Sequence, residues 1–139
     1  PTFRQMSRGM IIRLSSKLKS ISQVEPFAKE LKEKYNLNED VFPKILISVT
    51  EAVNNAIIHG NQTDERKQVV LHSKLAGTQL LICVEDEGRG FEPGNVPDPC
   101  CAENIEKTGG RGVLIMRSLC DSIHFRNNGA TVELIFNIR

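Results

Sequence analysis

Apolar positions recur along the chain with two different periods, and the changes between them lay out the elements. Met10 to Leu14 is a short apolar run with β-branched members and predicts a first strand. From Ser22 to Tyr35 the apolar residues Val24, Phe27, Ala28, Leu31 and Tyr35 return at helical spacing. Ser22, with Glu25 three residues on, has the pattern of a capping box that would open this helix. Asn36-Leu37-Asn38 reads as a turn. A second helix opens at Asn38 or Glu39 and carries Ile45, Leu46, Val49, Val53 and Ile57 to the stop signal Gly60-Asn61. Pro43 falls in its first turn, where proline is tolerated.

Gln62 to Lys67 is a polar connection. Gln68 to Leu75 and Gln79 to Glu85 are strand-like runs joined by Ala76-Gly77-Thr78, which predicts an antiparallel hairpin. Gly88 to Gly110 is rich in Gly, Pro and polar residues without periodicity, the composition of a functional or disordered loop. Val113 to Leu119 predicts a short helix behind Gly110-Arg111-Gly112. Ser122 to Arg126 and Ala130 to Ile138 form a closing hairpin about Asn127-Asn128-Gly129. The predicted fold class is α+β: a two-layer sandwich of a mixed, mostly antiparallel sheet packed on helices.

Composition narrows this picture only slightly. A chain of 139 residues has room for one domain, here 1–139. With 40% hydrophobic and 25% charged residues it has the balance of a soluble globular protein. The net charge of +1 implies no broad attraction to nucleic acid or membrane. Trp is absent and Tyr35 is the only Tyr, which argues against stacking platforms for single strands. No apolar run looks long enough for a membrane-spanning helix. Cys83 and Cys120 sit in apolar runs and read as reduced, buried thiols; Cys100-Cys101 lies in the loop with no His at zinc-ligand spacing. A reducing cytoplasm fits this cysteine usage.

The chemistry concentrates in three segments. Glu51, Asn55 and His59 stand four apart and line up on one face of the second helix. Around them are Ala52, Val53, Ala56, Ile57 and Ile58, so the helix reads as mostly buried with one polar seam. A polar seam inside a protein must meet partners, and a nucleotide with its metal would supply them. Asn54 falls off the seam and reads as structural. The second segment, Val84-Glu85-Asp86-Glu87-Gly88-Arg89-Gly90-Phe91, leaves an apolar strand. Alone it reads as an acidic turn; beside a ligand, its glycines would let backbone approach closely. The third, Thr108-Gly109-Gly110-Arg111-Gly112-Val113, puts free N–H groups at a helix start, a suitable anion site. It lacks the preceding strand of a dinucleotide fingerprint, and no P-loop sequence occurs. His72 and His124 lie in strands without evident partners, and Lys29, Lys32 and Lys34 read as a solvated helix face.

In order and spacing the three segments resemble the GHKL ATPase superfamily of gyrases and histidine kinases, from about Ile11 to Ile138. Ser48 to Gly60 and Gly110 to Asp121 resemble, more narrowly, the bacterial anti-sigma factor serine-protein kinases. That resemblance implies ATP and Mg²⁺ as cofactors. Asn55 would hold the Mg²⁺, Glu51 would be the general base and Asp86 would take the adenine amine, with Gly88 and Gly90 beside it. Thr108, Gly110 and Gly112 would lie on the phosphate side, and Thr131 near the adenine. The segment from about 92 to 109 would be a mobile ATP lid. The implied activity is a serine/threonine protein kinase that phosphorylates an anti-anti-sigma (STAS-type) partner, sequesters a sigma factor and so regulates transcription. The resemblance also allows a homodimer through the sheet and first helix. A second function fits the same residues, an ATP-binding partner-switching module that transfers no phosphate. A third, the catalytic piece of a histidine kinase, needs a phosphoacceptor helix pair that these elements do not supply.

Overall fold

A computed structural model describes residues 9–88 and 110–138. Strand β1 (Ile11–Ser15) leads through a 3-10 turn into α1 (Val24–Tyr35) and α2 (Val41–Asn55), which continues into a π-helical turn at Ala56–Gly60. Strands β2 (Gln68–Ala76) and β3 (Gln79–Glu85) follow, then α3 (Gly110–Leu119), β4 (Ser122–Arg126) and β5 (Thr131–Asn137). The sheet order is β1-β2-β3-β5-β4. All four pairings are antiparallel, so the parallel component expected of a mixed sheet is not among them. The reason is β5. The crossover through α3 returns β4 along the direction of β3, and β5 fills the gap between them antiparallel to both.

The period-two pattern decides which face is covered. Val69 and Leu71 of β2, Leu80, Ile82 and Val84 of β3, and Val132, Leu134 and Phe136 of β5 point inward against the helices. There they meet Phe27 and Leu31 of α1, Ile45, Val49 and Val53 of α2, and Val113 and Met116 of α3 in one core. The other face of the sheet carries Arg13, Lys74 and His124, all exposed.

The helix ends depart from the sequence expectation in two places. Ser22 donates to the Lys19 carbonyl at 2.8 Å instead of capping α1, which opens out of the 3-10 turn Leu18–Gln23 without a side-chain cap. The turn already satisfies the backbone that a capping box would serve. At the other end Asn36 adopts φ 52 and the Leu37 N–H reaches the Lys32 carbonyl at 3.0 Å, a Schellman closure with Leu37 buried beneath. Asn38 then caps α2, its Oδ1 accepting from the Asp40 and Val41 N–H groups at 2.9 Å each. A cap of this kind is worth about 1 kcal/mol.

The continuous helix Val41–Gly60 has 20 residues and is long and apolar enough to cross a membrane by length and composition. The expectation that no such run exists is therefore corrected. Its apolarity has a local cause: Ile45, Val49, Val53 and Ile57 are fully buried against the sheet and the flanking helices. The lysine face of α1 is also more engaged than expected. Lys29 pairs with Glu25 at 3.0 Å, and Lys32 pairs with Glu39 at 2.6 Å and lies over the Phe42 ring.

Cys83 is buried and Cys120 half-buried, and both are free thiols. Burial pushes each thiol up to about 11, and Glu133 and Glu85 add to the effect at Cys83. The thiolate is the nucleophile, so iodoacetamide at neutral pH should leave both unmodified in the folded protein. Peptide mass mapping checks this; rapid alkylation of Cys83 would contradict the burial.

Candidate functional site

Helix α2 presents Glu51 and Asn55, both half-buried, toward α3. They stand one turn apart on a helix whose Ile45, Val49, Val53 and Ile57 are sealed in the core. Helix α3 begins at Gly110, three residues earlier than its apolar pattern suggests, and takes Gly110 and Gly112 into its first turn. Glycine is a poor helix former, so Gly112 needs a reason. A Cβ there would lie 2.7 Å from Glu51 Oε2 and 3.4 Å from Asn55 Nδ2. The missing side chain keeps open the space in front of this carboxylate and carboxamide. The first and third motifs thus meet across the α2–α3 contact.

The second motif meets the same helix at its other end. Asp86 leaves β3, with its N–H donating to the Ala130 carbonyl at 2.9 Å. Its Oδ1 accepts from the Gly88 N–H at 2.7 Å. Its Oδ2 lies over Gly60, so closely that any Cβ at Gly60 would collide with the carboxylate, and one at Gly88 would collide with the Gly60 carbonyl. Burial pushes the Asp86 carboxyl above the usual carboxylate range, offset in part by the Gly88 N–H and by the nearby Lys67 charge. The half-buried carboxylate therefore has one oxygen capped by backbone and stands to gain from a ligand donor at the other. Thr131 pairs with Glu85 in the sheet, one residue from Asp86, and its Oγ1 accepts from Asn127 Nδ2 at 2.9 Å.

The seam of the helix runs from half-buried Glu51 and Asn55 to the surface. His59 lies in the π-helical turn and is exposed. His72 has a partner after all: its Nε2 lies 3.3 Å from Glu85 Oε1 across the β2–β3 ladder. Strand register creates that pair, and spacing along one strand could not reveal it. Gly90 and Thr108, the lid segment 92–109, and Cys100 and Cys101 lie outside the described residues.

Sequence reasoning took Gly60 and Asn61 as a helix stop and missed their part in the site. Gly60 supplies the space that Asp86 occupies. The available signal was a glycine ending a helix whose later turns already carried Glu51 and Asn55.

A helical layer on an antiparallel sheet, a Glu–Asn pair under a glycine-started helix and an Asp turn at the far end of the same helix define a GHKL-type nucleotide-binding domain. The sequence profile of the histidine kinase-like ATPase domain matches residues 14–136. The chain belongs to this family, with the ATP-binding fold that the family carries, and groups with its anti-sigma factors. It is 31% identical over 118 residues to the anti-sigma F factor of Clostridium perfringens, covering 81% of this chain and 76% of that one. Over 122 residues it is 32% identical to the anti-sigma F factor of Anoxybacillus flavithermus, covering 83% and 75%. The fold is similar to the crystal structure of the RsbU and RsbW domains of Rv1364c from Mycobacterium tuberculosis, with a TM-score of 0.67 and 20% identity. That match covers 95% of this chain and 33% of the other, so this chain spans about a third of that protein.

An Asp86→Asn exchange tests the far end of the site. The carboxyl is raised in the folded state, so the native protein holds this proton more tightly than the unfolded chain. Stability from that difference is lost as pH rises from the ordinary Asp range through the raised value. At neutral pH the nucleotide-free Asp86→Asn protein should therefore melt higher than the unmodified one, with the gap closing in acid. Thermal melts at several pH values check this; a variant that melts lower at neutral pH would show that the carboxylate is not strained by burial.

Proposed function

We propose that this protein is an ATP-dependent serine/threonine kinase that works as an anti-sigma factor. Its substrate is a small anti-anti-sigma protein of the STAS type, and phosphorylation of that protein frees the kinase to hold a sigma factor. The carrying observation is the meeting of Glu51 and Asn55 with Gly112, where only the absence of a Cβ leaves room before the two side chains.

The residues fit Mg²⁺–ATP chemically. Mg²⁺ takes oxygen ligands and keeps several waters, so one carboxamide oxygen, that of Asn55, suffices to hold it. Bound there, it would neutralise charge on the phosphates. The first turn of α3 directs N–H groups toward anionic oxygens, and Asp86 accepts the adenine amine. Glu51 takes the proton from the attacking hydroxyl. The hydroxyl oxygen of the substrate Ser or Thr bonds to the γ-phosphorus, the bond from that phosphorus to the bridging oxygen breaks, and ADP leaves with the electron pair. Phosphoryl transfer demands mainly position and charge neutralisation, which is what a rigid helix pair offers. The open face of the sheet, with Ile11 exposed at its edge, is assigned as the surface of a homodimer.

Incubation with ATP, Mg²⁺ and a purified STAS-type anti-anti-sigma protein, followed by intact-mass measurement, tests the reading. The expected result is a gain of one phosphoryl group on a Ser or Thr of the partner. Nucleotide-dependent partner binding without any mass gain would instead establish the switching module that transfers no phosphate.

A further inference from the structure

Asn61 is almost completely buried, with 1% exposure, although it is an amide. Its side chain makes three hydrogen bonds, to three separate segments. One Nδ2 proton goes to Ser16 Oγ at 2.9 Å, after β1, and the other to the Gln68 carbonyl at 3.0 Å, at the start of β2. Its Oδ1 accepts from the Glu87 N–H at 2.7 Å, in the turn that carries Asp86. The Glu87 side chain returns to the Gln68 N–H, and Ser16 Oγ donates to the Lys67 carbonyl at 2.8 Å, so the ring of bonds is closed.

The backbone of Asn61 is held as firmly. Its N–H reaches the Ala56 carbonyl at 2.8 Å, the i→i−5 bond that makes the last turn of the long helix a π turn. Such turns are energetically poorer than the α-helix and concentrate at functional sites. Here the widened turn sets Gly60 under the Asp86 carboxylate and Asn61 under the neighbouring peptide. One residue therefore joins the helix that bears Glu51 and Asn55 to the turn that bears Asp86.

We infer that Asn61 is a positioning residue for base selection: by holding the Glu87 N–H, its carboxamide fixes the Asp86-Glu87-Gly88 turn so that Asp86 presents one oxygen to adenine. The inference rests on the adenine role proposed for Asp86. Without the amide acceptor, the Glu87 N–H turns to find water and the Gly88 N–H no longer caps Asp86 Oδ1 in place. The carboxylate then swings, and its discrimination against guanine, which offers a carbonyl where adenine offers an amine, is lost.

The test is the ratio of ATP to GTP affinity by calorimetry in the full chain, for Asn61→Ala, Asp86→Asn and the double variant. Asn61→Ala should lower the ratio roughly tenfold, the worth of one hydrogen bond to a charged or buried group. In the Asp86→Asn background it should change the ratio by less than about twofold, because the two act through one contact. A lower melting temperature with an unchanged ratio, while Asp86→Asn does erode the ratio, overturns the role of Asn61 and leaves that of Asp86 standing. An unchanged ratio in Asp86→Asn means that Asp86 does not read the base, and the role of Asn61 falls with it. Amide exchange on the unmodified protein needs no variant to fold. The Glu87 N–H should be protected without nucleotide and more so with ATP; exchange at the rate of a free peptide would overturn the inference.

Discussion

Glu51→Gln is expected to lower phosphate transfer to the partner by roughly 100- to 10,000-fold, the range that a positioned general base contributes. The exchange keeps the shape of the side chain and removes only its ability to take a proton. Glu51 sits in the middle of α2, between the buried Ala52 and Val53 and the buried Ser48 and Val49. The helix cannot shift to bring another carboxylate into its place. Gly112 stays 2.7 Å from Oε2 by the measure of an added Cβ, and an amide oxygen or nitrogen fits the same gap. Binding of ATP should therefore stay within about threefold, since the uniform part of binding is untouched. Single-turnover transfer followed by phosphoprotein gel or intact mass gives the rate; calorimetry gives the affinity. A Glu51→Gln protein that transfers phosphate at the unmodified rate would remove Glu51 from the proton path. One that fails to bind ATP would assign Glu51 to phosphate or metal binding instead.

Much of the fold could be read from periodicity because each element buries one clean face. Val24, Phe27, Ala28, Leu31 and Tyr35 all lie in the core as spaced, and the hairpin of β2 and β3 closes with Leu75 opposite Leu80. The site was legible as three motifs because each combined an unusual residue with a position: a carboxylate inside an apolar helix, an Asp at a strand exit, glycines at a helix start. What stayed hidden depended on contacts between segments far apart in sequence. The His72–Glu85 pair exists only through the ladder register. Asn61 looked like a helix stop because its three partners, Ser16, Gln68 and Glu87, come from three other segments. The capping box failed for a related reason: a 3-10 turn unseen in the apolar pattern already supplies the entry to α1. The π turn leaves no compositional trace, and it ends the helix with His59 exposed.

Asn55→Ala is expected to weaken Mg²⁺-dependent ATP binding by about 100-fold, the upper range for losing a residue that supports a metal. Asn55 ends the regular part of α2, where Ala52 and Ala56 on either side are buried and the chain then widens into the π turn. The carboxamide is aimed by that rigid backbone toward Gly112, 3.4 Å from an added Cβ there. Truncation removes the side-chain oxygen and leaves the helix otherwise intact, since Asn55 is only half-buried and Ala is the better helix former. The melting temperature without nucleotide should hold or rise. The loss should also depend on the metal. With Mg²⁺ chelated, unmodified and Asn55→Ala proteins should bind ATP with similar, weak affinity; adding Mg²⁺ should tighten only the unmodified protein. Asn55→Asp sharpens the point, because a carboxylate keeps an oxygen for the metal and adds a charge beside Glu51. It should retain part of the Mg²⁺ response where Asn55→Ala has none. Equal Mg²⁺ enhancement in the unmodified and Asn55→Ala proteins would move the metal to another residue and leave Asn55 a structural amide on the α2–α3 seam.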